Sequence, residues 1–289
     1  MKSQELIINF APTGNVPTSK NSPYIPVSTN QIIEEVIEAY ELGITLVHLH
    51  AREEDESPSY KASIYGVILE GIRKYCPDMV LGVSLSGRNF PEIEKRTEVL
   101  SLKPDMASLT LSSLNFKNQA SLNEPETINI LAEKIQVCGA TPELECFDAG
   151  MLNYALYLIQ KGKLKPPFYF NLITGNIFGM PNDMAHIGTF IKDLPKEAVW
   201  ALGGIGDFQL AANSYAITAG GGVRVGLEDN IWYNSKRTQY ATNMDLIKRI
   251  HTLAEIHERP IMKPATFGKM GFFNKNRVFT KNDILKEAV

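Results

Sequence analysis

Two histidines one residue apart, His48 and His50, stand in the run Leu46-Val47-His48-Leu49-His50-Ala51-Arg52. In an extended chain, residues i and i+2 point to one face, so both imidazoles emerge together while Leu49 faces the other way. Such a pair suits one metal ion, which normally takes a third protein ligand and keeps an open position for substrate. The run Arg224-Val225-Gly226-Leu227-Glu228-Asp229-Asn230 offers two adjacent carboxylates for that third place. Neighbouring side chains diverge, so Glu228 and Asp229 are expected to do different work, one on the metal and one elsewhere. The plain alternative is that one of them caps a turn, a common use of aspartate.

Other polar residues gather at similar places. Ser84, Ser86, Gly87 and Arg88 form one group, and Ser108, Thr110, Ser112 and Asn115 another. Hydroxyls and amides orient a carboxylate or carbonyl without adding charge. Glu143 and Glu145 share one face of a strand, where an inward carboxylate is costly unless it meets a cation or donor. Glu143 is therefore either a support for the site or half of a structural ion pair. Glycines 203, 204, 206 and 220–222 would let backbone approach a phosphate-bearing ligand, a weak signal because strand and helix joints also need glycine. His186, His251 and His257 fall in predicted helices and are given no chemistry.

These residues act together only if the elements that carry them converge. Eight short apolar runs, each followed by a stretch with helical spacing, predict strands at Leu6–Phe10, Ile44–His50, Met79–Ser84, Met106–Leu111, Glu143–Phe147, Phe168–Ile173, Val199–Gly203 and Gly222–Gly226. Ser28 to Gln31 reads as a capping box opening the first helix, with Gly43 closing it. Eight strand–helix pairs predict a single α/β domain, a (β/α)₈ TIM barrel over residues 1–259, whose site sits at the strand C-termini. His48, His50 and Glu228 then meet at one mouth. An open doubly wound sheet is the competing architecture, but Ala11-Pro12-Thr13-Gly14 does not match its glycine fingerprint. Residues 260–289, with Lys263, Lys269, Lys275, Arg277 and Lys281 among Phe267, Phe272, Phe273 and Phe279, read as a C-terminal arm. It is expected to pack on the barrel or on a neighbouring subunit.

Composition narrows the partners. The 289 residues are 44% hydrophobic and 21% charged, the mix of a folded globular chain. A net charge of −3 argues against a nucleic-acid surface. The longest uncharged stretch, Pro166 to Asn182, carries prolines, glycine and asparagines that a lipid-exposed helix would rarely accept, so no membrane span is expected. The first ten residues lack the layout of a secretory signal. Cys76, Cys138 and Cys146 are too scattered for a disulfide framework, which points to a cytoplasmic setting.

Four runs in order, VHLHAR, KPDMASLTLSSLNF, PELECFDAGMLNYA and VRVGLEDN, resemble the β-keto acid cleavage enzymes over most of the chain, about Leu6 to Arg259. The resemblance implies a (β/α)₈ barrel that converts a β-keto acid and acetyl-CoA to acetoacetate and an acyl-CoA, through an enolate and a retro-Claisen step. It implies Zn²⁺ on His48, His50 and Glu228, Asp229 as general base with Arg224 as its electrostatic partner, and Ser84, Gly87 and Ser108 holding the keto acid. It also implies a homo-oligomer. Val16 stands where an acidic residue meets the substrate ammonium in the aminohexanoate enzyme of this family, which predicts an uncharged or differently charged substrate side chain. Asp207 and Gly222 depart as well, from a basic residue and a histidine respectively. A class II aldolase, a zinc hydrolase or a non-catalytic metal- or ligand-binding barrel could use the same site, and a demand for acetyl-CoA separates them.

Overall fold

The computed structural model describes residues 5–277. Eight parallel strands, β1 (Ile8–Phe10), β2 (Leu46–Leu49), β3 (Val80–Val83), β4 (Met106–Thr110), β5 (Thr141–Cys146), β6 (Tyr169–Thr174), β7 (Val199–Gly204) and β8 (Gly222–Val225), close into a barrel. They follow one another around the ring in chain order, and β8 returns to β1 with Asn9 opposite Arg224. All eight predicted runs form strands. The first starts later than expected because Leu6 leaves the barrel to bridge Ile261 in parallel.

Helices pack outside. α1 (Thr29–Leu42) opens with the predicted capping box of Ser28 and Gln31 and ends at Gly43, whose φ of 102° lies in the left-handed half of the map. α2 (Ala62–Tyr75) turns Tyr65, Ile68, Leu69 and Ile72 inward. The third crossover is short: α3 (Ile93–Thr97) runs into a 3₁₀ turn. α4 (Pro125–Val137), α5 (Ala149–Gln160), α6 (Met184–Lys192) and α7 (Gln209–Thr218) follow. α8 (Asn243–Ile256) starts where Thr242 and Asp245 form a second capping box.

The two ends of the barrel differ. At the strand N-termini Ile7, Leu46, Val80, Met106 and Tyr169 form a buried cluster with Met262, Phe267 and Phe272, which come from beyond the last barrel helix. Phe267, on the one-turn α9 (Pro264–Phe267), stacks on Phe272 at 4.2 Å, and Tyr169 meets both rings edge-on at 5.7 and 6.1 Å. This part of the arm is a floor under the barrel. The rest of it, 278–289 with Phe279 and Lys281, lies outside the described residues. At the opposite end, two small antiparallel ribbons, Ala51–Arg52 with Pro58–Ser59 and Leu114–Asn115 with Ala120–Ser121, stand over the mouth. Among the described residues no helix is long and apolar enough to cross a membrane. Cys76, Cys138 and Cys146 are free thiols.

Candidate active site

His48 and His50 rise together from the end of β2, both buried. His48 Nδ1 lies 2.7 Å from Glu143 Oε2, and His50 Nδ1 lies 2.9 Å from Asn15 Oδ1. Each of these acceptors calls for the proton on Nδ1, which turns both Nε2 atoms inward at 3.2 Å from each other. Two lone pairs cannot face at that distance without a positive centre between them, and one proton satisfies the free protein. Burial pulls His48 down most strongly, but the charge and hydrogen bond of Glu143 together with the charge of Glu228 outweigh it and leave the imidazole raised to about 9; burial takes His50 down to about 4.

Glu228 completes the group, its Oε1 3.3 Å from His50 Nε2. One donor atom each from His48, His50 and Glu228 lies within 4.8 Å of the others, while Glu228 Oε2 is buried without a hydrogen-bond partner. Two imidazole nitrogens and a carboxylate with an unsatisfied oxygen are a donor set that fits a divalent ion. A divalent ion would compete with the proton held between the imidazoles.

The turn after β8 delivers Glu228 and Asp229 to this place. Arg224, buried in β8, binds both: Nη2 lies 2.7 Å from Glu228 Oε1, and Nε donates to Asp229 Oδ2 at 2.8 Å. Gly203 leaves the room that the arginine stem crosses. Burial raises the Asp229 carboxyl against the pull of Arg224, whereas for Glu228 the arginine and the two histidines overcome burial and hold it well below the carboxylate range. The two acids thus differ in proton affinity as well as direction. Gly14 packs on this turn at a φ of +69°, and a β-carbon there would lie 2.5 Å from Glu228 Cγ. Asn243, at the start of α8, accepts from Leu227 N at 2.9 Å and donates to Pro12 O at 3.2 Å, tying the two loops together.

A chamber of about 820 Å³ opens over these groups, lined in part by His48, His50, Arg224, Glu228 and Asp229. Ser84 and Val16 line it too, and Val16 is 59% exposed. Ser108 is buried beneath, its hydroxyl accepting from Leu85 N at 3.0 Å. Gly87 is packed against the Leu122 carbonyl and Arg96, outside the chamber wall. Asp207 sits at the rim and pairs with Arg237 at 3.0 Å. Gly222 begins β8 low in the barrel, where any β-carbon would press on Ile7, so a larger residue has no room there.

The sequence model of the β-keto acid cleavage enzymes matches residues 5–270. The chain belongs to this family. It is 35% identical to a 3-oxoadipate:acetyl-CoA acetyltransferase from Cupriavidus necator over 262 residues, 90% of this chain and 92% of the relative. It is 31% identical to a 3-keto-5-aminohexanoate cleavage enzyme from Acetoanaerobium sticklandii, covering 91% and 96% of the two chains. Among solved structures, apo ObcA superposes with a TM-score of 0.76 at 19% identity over 88% of this chain and 66% of that one, a likeness of fold.

In this β-keto acid cleavage enzyme, the asparagines that brace the site were not singled out in the sequence. Glu143 does not reach the chamber; it holds His48, and its Oε1 accepts from Asn9 Nδ2 at 2.7 Å and Asn171 Nδ2 at 2.8 Å. The signal was a lone asparagine inside an apolar strand, in Ile8-Asn9-Phe10 and again in Phe170-Asn171-Leu172. Asn15, the partner of His50, lies in a loop and left no such trace.

Proposed function

We propose that the chain converts a β-keto acid and acetyl-CoA to acetoacetate and the CoA thioester of the remaining acyl group. The observation that carries this is the placement of Asp229 beside the inward donors of His48, His50 and Glu228 at the mouth of a barrel of this family. The names of the C. necator acetyltransferase and of a 3-dehydrocarnitine:acetyl-CoA trimethylamine transferase from Rhizobium meliloti, 29% identical, support acetyl-CoA as co-substrate.

His48, His50 and Glu228 would hold the ion, for which the nitrogen-rich donor set supports zinc. When bound, such an ion polarises a ketone oxygen as a Lewis acid. Asp229 takes a proton from the carbon between ketone and carboxylate, and burial, by raising its proton affinity, suits it to that task. Arg224 opposes that rise and aims the carboxyl group. Glu143 and Asn15 hold the imidazoles by their Nδ1 atoms, so Glu143 is a positioning residue. Ser84 offers its hydroxyl to the keto acid, Ser108 supports the loop above it, Gly87 permits that loop's close packing, and Val16 faces the substrate side chain. We further propose residues 1–259 as the catalytic domain, with 260–289 as its accessory segment, in a cytoplasmic homo-oligomer. The free thiols suit the compartment, and the family resemblance supports the assembly.

The test is a panel of β-keto acids assayed with acetyl-CoA, with and without a chelator, by acetoacetate formation. Chelator-sensitive turnover that requires acetyl-CoA is expected; cleavage that proceeds without acetyl-CoA would instead indicate an aldolase or hydrolase.

A further inference from the structure

The charged groups lining the chamber mostly pair off. Arg224 binds Glu228 and Asp229, and Arg237 binds Asp207. Glu145 accepts the Thr110 hydroxyl at 2.7 Å, and burial pushes its carboxyl up toward the neutral form. Arg88 stands apart. It lines the chamber with its guanidinium 3.4 Å over the Phe116 ring, and it forms no side-chain hydrogen bond or ion pair with any described residue. Its Nε is buried without an acceptor.

A guanidinium whose Nε is buried without an acceptor carries a cost, which is recovered when a ligand brings one. Its planar fork matches a carboxylate in two parallel hydrogen bonds, and the aromatic face behind it fixes its plane. Phe116 is itself braced edge-on by Phe147 at 5.6 Å. Lys117, on the same ribbon loop, adds positive charge to this wall. Val16, opposite in character to an acid, offers nothing to an ammonium group.

Resting on the activity proposed above, we infer that Arg88 selects β-keto acids whose side chain ends in a second carboxylate. Ser84, proposed above to meet the keto acid, is taken to bind the carboxylate common to every β-keto acid, so Arg88 serves a group that only some substrates carry. It is a specificity-determining residue.

The test compares 3-oxoadipate with 3-oxohexanoate, six-carbon keto acids that differ in the terminal carboxylate. The wild type, R88K and R88Q are assayed with acetyl-CoA, binding of each acid is measured by calorimetry, and melting curves report folding. The wild type should favour the diacid about a hundredfold in kcat/KM, R88Q should bring that ratio to near one, and R88K should fall between. If R88Q keeps the wild-type ratio, with equal losses on both acids or a change confined to the KM of acetyl-CoA, Arg88 touches the shared carboxylate or the CoA and the inference is overturned. If neither acid turns over, the proposed activity fails separately. Tight binding of the diacid that R88Q abolishes would then still support Arg88 as its receptor, and equal binding of both acids would overturn it.

Discussion

Asp229 and Glu228 are neighbours in sequence with opposite electrostatic fates, and the difference defines their work. Glu228 lies against Arg224 and His50 and stays ionised; Asp229 meets one arginine edge and is raised by burial. Asp229→Asn removes the proton acceptor and keeps shape, so turnover should fall by about 10² to 10⁴ while metal content, read by elemental analysis, is retained. Unchanged turnover would remove Asp229 from its proposed role. Glu143 belongs to the same scale: an acid that never reaches the chamber fixes which nitrogen His48 presents to it.

Elements decide where those side chains arrive. The loop after β1 touches the turn after β8 at Gly14, and nothing larger fits there. Gly14→Ala should displace Glu228 and lower metal affinity by about tenfold or more, measured by competition with a chelating dye; equal affinity would show that the turn yields freely. On α1, Glu35 is half-buried near Asn243, and burial raises its carboxyl from 4.5 to about 7, against a pull from Asn243. A carboxyl raised by folding favours the native state most below about pH 4.5, and that advantage disappears as pH climbs through about 7. Glu35→Gln, which keeps the neutral form, should therefore gain on the wild type by about 1 to 3 kcal/mol between pH 4.5 and 8 in urea denaturation. Parallel stability profiles for the two proteins would refute this.

The whole molecule divides its labour between two ends. Strand C-termini carry the reactive groups, while strand N-termini rest on Met262, Phe267 and Phe272. Phe272→Ala opens a cavity under the barrel and should cost about 3 to 5 kcal/mol, visible as a lowered melting temperature. The mouth lies at the far end, so the kcat of the remaining folded enzyme should hold; a kcat loss at full folding would show that floor and mouth are coupled.

Much of this protein was written locally. Strand runs, helix caps and the His-x-His spacing depend on period and near neighbours, so the barrel, the metal-ligand candidates and the carboxylate pair could all be read from the chain. What lies beyond depended on contacts between residues far apart in sequence. Glu143 meets His48 across 95 positions and Asn9 across 134, Gly14 seats Glu228, and the described part of the arm forms the floor of the barrel. Arg88 appeared in the sequence as one polar residue among several. Only closure of the ring, which set it on Phe116 with no acceptor for its charge, revealed a cation that awaits a ligand. Periodicity fixes the direction in which each side chain leaves its own element, but its partners are fixed by which elements the closed barrel brings side by side.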